Sequence, residues 1–252
     1  MRKNFAFLLA MFFFILSTLP GLAQKKTMTW TTTSDKARDL AGQGSQYMRN
    51  GEAAQAYEKF KQALEIDPDF TVALTFMSFL TQGQTQKDYQ DRALKSALNK
   101  TDGEKLFAST VTPDPTGKNF RDAFTKLHDM YPDGSMIGTF YVFSRATPEE
   151  QYAAALDYSK KFPDEAVIYN ALGYMSMSVK KDTAAAKAYF EKYIKLYPEG
   201  CNPYDSMGEF YLNTGDLANA EKYYKMALEK YPFNISSIDK LKEISEKKKA
   251  KK

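Results

Sequence analysis

One histidine, His128, and one cysteine, Cys201, supply all the imidazole and thiol chemistry of the 252 residues. That is too few for the usual zinc sites, which draw four ligands mainly from these two residue types. His128 sits between Leu127 and Asp129 in a stretch of helical period. A surface or half-buried packing role suits it better than a place in a Ser/His/Asp constellation. No glycine pattern of the P-loop or dinucleotide kind occurs. Glu149 and Glu150 are neighbours at a predicted helix start, where they complement the helix dipole and do not face each other. Asn99-Lys100-Thr101 and Asn234-Ile235-Ser236 match a glycosylation acceptor pattern at a frequency that chance explains. The residues therefore predict no catalysis, no metal and no cofactor. A lone cysteine also allows no internal disulfide, so stability must come from packing.

The ends of the chain bound where that packing takes place. Arg2 and Lys3 precede an apolar run from Phe5 to Leu19, and Pro20 and Gly21 then break it. Gly21-Leu22-Ala23 is a small-x-small cleavage pattern, so residues 1–23 read as a secretory signal cut after Ala23. The alternative, an uncleaved anchor, has an apolar run of about 15 residues where a spanning helix wants roughly 20. Gln24 stands where a lipoprotein needs Cys, and the start resembles the export signals of Bacteroidota. The expected location is periplasmic or secreted, with no membrane-integral part after cleavage.

Loss of Arg2 and Lys3 lowers the formal charge from +4 to +2, and five lysines crowd positions 247–252. Without them the body is about −3, so no basic field covers it and nucleic-acid binding is not expected. The lysine tail has two readings: a solvated helix end with cations suited to the dipole, or a weak contact with anionic envelope surfaces.

Residues 24–35 lack a helical period, and Thr and Trp favour extended backbone. A flexible or strap-like leader is expected there, with Trp30 as its large anchor and Ser34 as the N-cap of the first helix. From that point the chain repeats. Leu40, Gly44, Tyr47, Gly51, Ala56, Phe60, Ala63 and Pro68 have the same spacing as Tyr204, Gly208, Tyr211, Gly215, Ala220, Tyr224, Ala227 and Pro232. Small residues let two helix backbones approach, and an aromatic fills the space beside them. A glycine tolerates the positive φ of the turn, and proline ends the pair. Weaker copies fill the middle, and the unit ends echo one another at Pro68, Pro132, Pro163, Pro198 and Pro232. The predicted units lie near 37–70, 71–102, 103–133, 134–165, 166–200 and 201–234, an array over 36–234. In the fifth, one extra residue falls at the Val179–Asp182 turn. The third is the most degraded, with a Pro/Gly loop over Thr112–Lys118. Residues 235–252 read as a capping helix with Ile238, Leu241 and Ile244 on one face.

The two matching copies resemble the tetratricopeptide repeat at all eight signature positions. The resemblance implies an all-α, right-handed superhelical solenoid of about six helix pairs, whose concave face is lined by first helices. It also implies that partners are contacted from first-helix positions turned away from the second helix. In this sequence those are Arg38, Ala41, Ser45, Met48 and Arg49 in the first unit. In the fifth they are Asn170, Tyr174, Met177 and Ser178, and in the sixth Asn202, Asp205, Glu209 and Asn213. The subclass that clamps a C-terminal carboxylate uses Lys and Asn on this face. Ala41, Ser45, Asp205 and Glu209 stand at the matching places, which argues against such a clamp. The expected groove runs from basic at Arg38 and Arg49, through Met and Tyr, to acidic at Asp205 and Glu209, a gradient that can orient an extended peptide. Core packing is the competing role for Tyr174 and Met177.

The leading functional expectation is an exported, non-catalytic scaffold or adaptor that binds a protein or peptide partner in this groove. The alternative is a periplasmic peptide- or glycan-binding module. An enzyme that uses the 103–118 segment as a lid lacks a nucleophile-base pair. Self-association through degraded units is a further possibility.

Overall fold

The structure, a computed structural model, describes residues 25–114 and 117–250. The expected signal at 1–23 lies outside the described residues, as do Gln24, part of the Thr112–Lys118 loop and the last two lysines.

Thirteen α-helices and no strand are present among the described residues. They pair as α1 (Asp35–Arg49) with α2 (Ala53–Ile66), α3 (Thr71–Leu80) with α4 (Gly83–Ala97), and α5 (Asp102–Ser109) with α6 (Lys118–Met130). Next in the chain come the pairs α7 (Ser135–Phe143) with α8 (Pro148–Lys161), α9 (Ala166–Met175) with α10 (Thr183–Leu196), and α11 (Asn202–Asn213) with α12 (Leu217–Lys230). A last helix, α13 (Ile235–Ala250), packs on α12.

Local sequence explains the helix ends. The Ser34 hydroxyl accepts from the Ala37 amide and starts α1. Thr101 with Glu104, and Thr147 with Glu150, form capping boxes on α5 and α8. Gly51 and Gly215 turn the chain between paired helices at φ +77° and +84°, a region open mainly to glycine. The fifth unit has no glycine at that turn. Its extra residue is absorbed by a π-helical turn over Ser176–Lys180, and Lys181 takes the left-handed conformation instead, at φ 56°.

Within each strong pair, a first-helix glycine lies under an aromatic ring of the second helix. A Cβ at Gly44 would meet Phe60 at 3.0 Å, at Gly173 Phe190 at 2.6 Å, and at Gly208 Tyr224 at 2.9 Å. The fourth unit repeats the device with Gly138 and Tyr158 at 2.6 Å. These contacts set how closely the two helices approach.

The core follows the units in four clusters. The first joins the first three units to the start of α7, and three smaller ones lie in α7–α10, α10–α11 and α12–α13. Ile244 of α13 is buried against Tyr224, and Leu241 packs beside it, so the last helix covers an apolar end. No helix among the described residues is long and apolar enough to cross a membrane.

Candidate functional site

In the first four units, aromatic side chains of first and second helices pack on one another and fill the space between the helices. Phe76 of α3 stands at its centre. Its ring stacks on Phe60 at 4.7 Å, meets Phe107 edge-on at 5.2 Å, and lies 6.0 Å from Phe140. Phe140 in turn stacks on Phe124 at 5.1 Å. Rings at these separations are packed contacts that leave no open groove.

Residues 25–34 close one edge of this filled interior as an extended strap. Met28 is buried and Trp30 packs on Phe76 at 6.3 Å, so the leader has two apolar anchors rather than Trp30 alone. The strap crosses the starts of three first helices. The Lys26 amide donates to Asp133 before α7, the Thr31 amide and hydroxyl donate to Glu104 of α5, and the Thr32 hydroxyl donates to Asp67 before α3.

The opposite edge of the first unit closes on the fifth and sixth. The hinge of this seam is Glu52, only 4% exposed. Its carboxylate accepts from the Tyr197 hydroxyl at 2.7 Å, the Cys201 amide at 2.8 Å and the Asn202 amide at 3.5 Å. Glu52 occupies the N-cap position of α2 but makes no cap bond, whereas Asp182 and Asp216 at the equivalent positions do cap their helices. Beside it, the Tyr193 hydroxyl donates to the Asn50 carbonyl at 3.3 Å and accepts from the Asn202 amide group at 3.2 Å. Arg49 pairs with Glu165 at 2.6 Å. Burial, reinforced by the Glu52 carboxylate, pushes the Tyr197 hydroxyl above its usual range and the Cys201 thiol up to about 12.

The residues expected to line the groove fall into three groups. In the first, Arg38, Ser45 and Met48 belong to the filled half. Arg38 is exposed, donates to the Trp30 and Thr32 carbonyls of the strap, and pairs with Asp35. Ser45 is buried and Met48 packs at the margin of the core. In the second, Arg49 and Asn202 serve the seam.

The third group sits on α9, the π-helical turn that follows it, and α11. The Tyr174 hydroxyl donates to Glu209 at 2.7 Å, and its ring sits edge-on to Phe190 at 5.1 Å. Met177 packs half-buried beside Phe190 and Met207. Asp205 is buried and accepts from Ser237 at 2.5 Å and Ser236 at 3.1 Å of α13. Burial holds its carboxyl above the usual range, against the pull of those two serines. Asn170 and Glu209 are half-buried and Asn213 is exposed. Glu52, Glu104 and Met28 were not singled out by sequence reasoning. The one available signal was a Glu after the turn glycine, where the sixth unit has the better-capping Asp.

A separate cleft of about 520 Å³ opens between α6, α7 and α8. Its floor is a stack: the His128 ring lies 4.3 Å from Tyr141, and the Arg145 guanidinium 3.9 Å from the same ring. Burial, with Lys161 and Arg145 nearby, lowers the His128 pKa, so the imidazole is neutral at pH 7. Among the described residues no group of three or more His, Cys, Asp or Glu is placed to hold a metal ion.

Comparison with known proteins agrees with this architecture. Tetratricopeptide repeat models match residues 166–200 and 203–233. The chain is 24% identical over 195 residues to the type IV pilus assembly protein PilF of Pseudomonas aeruginosa, covering 76% of this chain and 66% of that one. It is 39% identical over 70 residues to the TPR repeat-containing protein PA4667 of the same organism, covering 28% of this chain and 12% of that one. The matched stretches thus span less than two thirds of either relative. The crystal structure of the APC/C hetero-tetramer Cut9-Hcn1 aligns with a TM-score of 0.51 at 15% identity, over 83% of this chain and 43% of that chain, a likeness of fold alone. With the glycine-under-aromatic packing in its helix pairs and the repeat models matched over residues 166–200 and 203–233, the last two units are tetratricopeptide repeats and the rest of the array is similar to them in fold.

Proposed function

We propose that the protein is an exported, non-catalytic adaptor that binds a protein partner along α9 and α11. The observation that carries this reading is the half-exposed row of Asn170, Tyr174 and Glu209, continued by exposed Asn213. Tyr174 and Glu209 are fixed by their mutual hydrogen bond, so the surface is pre-organised and loses little freedom on binding. The filled interior of the first four units moves the partner surface to the second half of the array. Export rests on the signal pattern of residues 1–23. The similarity to a pilus assembly protein supports a role in assembling an envelope structure.

Affinity capture from an envelope extract of the source cell, with wild-type chain and with Glu209→Lys and Asn213→Arg, tests the reading. A stoichiometric partner captured by wild type and lost with both variants, at unchanged circular dichroism, is the expected result. A partner indifferent to both changes moves the surface elsewhere, and a chain that captures only a glycan replaces the adaptor with a ligand-binding module.

A further inference from the structure

The strap is bound as a ligand would be bound. Its side chains alternate: Thr27 and Thr29 face solvent, while Met28 is buried and Trp30 packs on Phe76. That two-residue period is how an extended peptide presents alternate side chains to pockets. Its main chain is read by side chains of the array. Asp133 and Glu104 take the amides of Lys26 and Thr31, at 3.0 and 2.7 Å. Lys100 donates to the Thr31 carbonyl at 3.3 Å, and the Asp133 amide to the Lys26 carbonyl at 3.2 Å.

Part of the receptor side is held without the strap. Glu104 is fully buried, and Thr101 supplies two of its donors, the amide at 3.2 Å and the hydroxyl at 2.8 Å. This capping box fixes the carboxylate at the start of α5, and the remaining two donors come from Thr31 of the strap. The strap, by contrast, has no internal structure and joins the fold through Thr33 and the cap residue Ser34. A segment of that kind opens at a lower free energy than the helices it covers.

We propose that this edge is an exchangeable site for an extended peptide of the pattern apolar–x–aromatic–Thr–Thr, and that residues 26–32 are its built-in occupant. The partner supplies such a segment, and the tethered strap competes with it at an effective concentration in the millimolar range, on the order expected for a short tether. The inference rests on the adaptor reading and adds a second contact region at the other half of the array.

The test uses the full chain and a fluorescein-labelled peptide of sequence KTMTWTTT, followed by fluorescence anisotropy. Trp30→Ala with Thr31→Pro weakens the strap by removing its ring and its amide donor. That variant is expected to bind the peptide at least about tenfold more tightly than wild type, because the tethered competitor is gone. Adding Glu104→Gln is expected to reverse the gain, and a scrambled peptide to bind neither. Equal binding by wild type and variant, or none by a variant with native circular dichroism, overturns the proposal. Dimerisation of wild type that Trp30→Ala abolishes assigns the site to a second copy of the chain and also overturns it. Hydrogen exchange on wild type covers the case of a misfolded variant. The Lys26 and Thr31 amides should exchange before those of α3, and exchange only at the rate of global unfolding overturns the idea. No cellular partner enters these assays, so their failure is separate from that of the capture experiment.

Discussion

At the scale of single residues, the side chains that matter most are buried and ionisable or wedged against a neighbour. Glu52 gives three hydrogen bonds their acceptor at the seam between the first and the fifth and sixth units. Glu52→Ala leaves the Tyr197 hydroxyl and the Cys201 amide without it, and urea unfolding should show a loss of roughly 2–4 kcal/mol. Cys201, with its thiol pushed up to about 12, stays protonated at neutral pH. A thiol needs its thiolate form to react. The native protein should therefore resist a disulfide reagent at pH 8 and react once unfolded; rapid native labelling would mean the seam opens. Gly173 lies 2.6 Å, as measured from an added Cβ, from the Phe190 ring. Gly173→Ala should cost about 1–3 kcal/mol, readable as a lowered Tm.

Among the elements, α13 has the most tractable attachment. It is held by Leu241 and Ile244 and, one turn further along the same face, by Lys248, which bonds Glu221 of α12. The hydrogen bonds from Lys225 and Lys248 hold the Glu221 carboxyl down to about 2. A carboxylate with a depressed folded-state pKa contributes stability above its unfolded value near 4.5, and that contribution fades as pH falls through the folded value. The protection of the α13 amides, taken relative to the intrinsic exchange rate at each pH, should therefore fall between pH 4.5 and 2 more than that of α12, and Glu221→Gln should remove that dependence. Asp205 acts with the opposite sign on the same helix. Its raised pKa means that its ionisation costs stability as pH climbs from the unfolded value through the folded one.

For the whole molecule, the decisive contact is between the two ends of the array. The α1–α2 turn meets the α10–α11 junction through Glu52 and Asn50, and Arg49 meets Glu165 at the start of α9. Gly200 makes the fit possible, because a Cβ there would approach Tyr197 to 2.1 Å and Glu52 to 2.9 Å. Gly200→Val should thus prise the seam apart, and small-angle scattering should report a larger radius of gyration than wild type. An unchanged radius with unchanged Tm would show that the seam contributes little to the closed shape.

The repeat pattern was legible because it is local. Gly44 with Phe60 and Gly208 with Tyr224 are sixteen residues apart in each unit, and the spacing alone brings them together on paired helices. The turn at Gly51, the cap at Ser34 and the apolar face of α13 were legible for the same reason. The seam and the strap were not. The Glu52–Cys201 bond joins residues 149 positions apart, and the Thr31–Glu104 bond residues 73 apart. No short period encodes such pairs; they depend on how small rotations between successive units add up. The sequence by itself determined helix pairs, their order and their facing surfaces. Only the tertiary structure decided that aromatic rings fill the space between the helices of the first four units, that Arg49 and Asn202 serve closure, and that Tyr174 and Glu209 remain on a half-open surface. Accumulated curvature, which brings the first unit onto the fifth and sixth, is a property of the stacked array and of no single repeat.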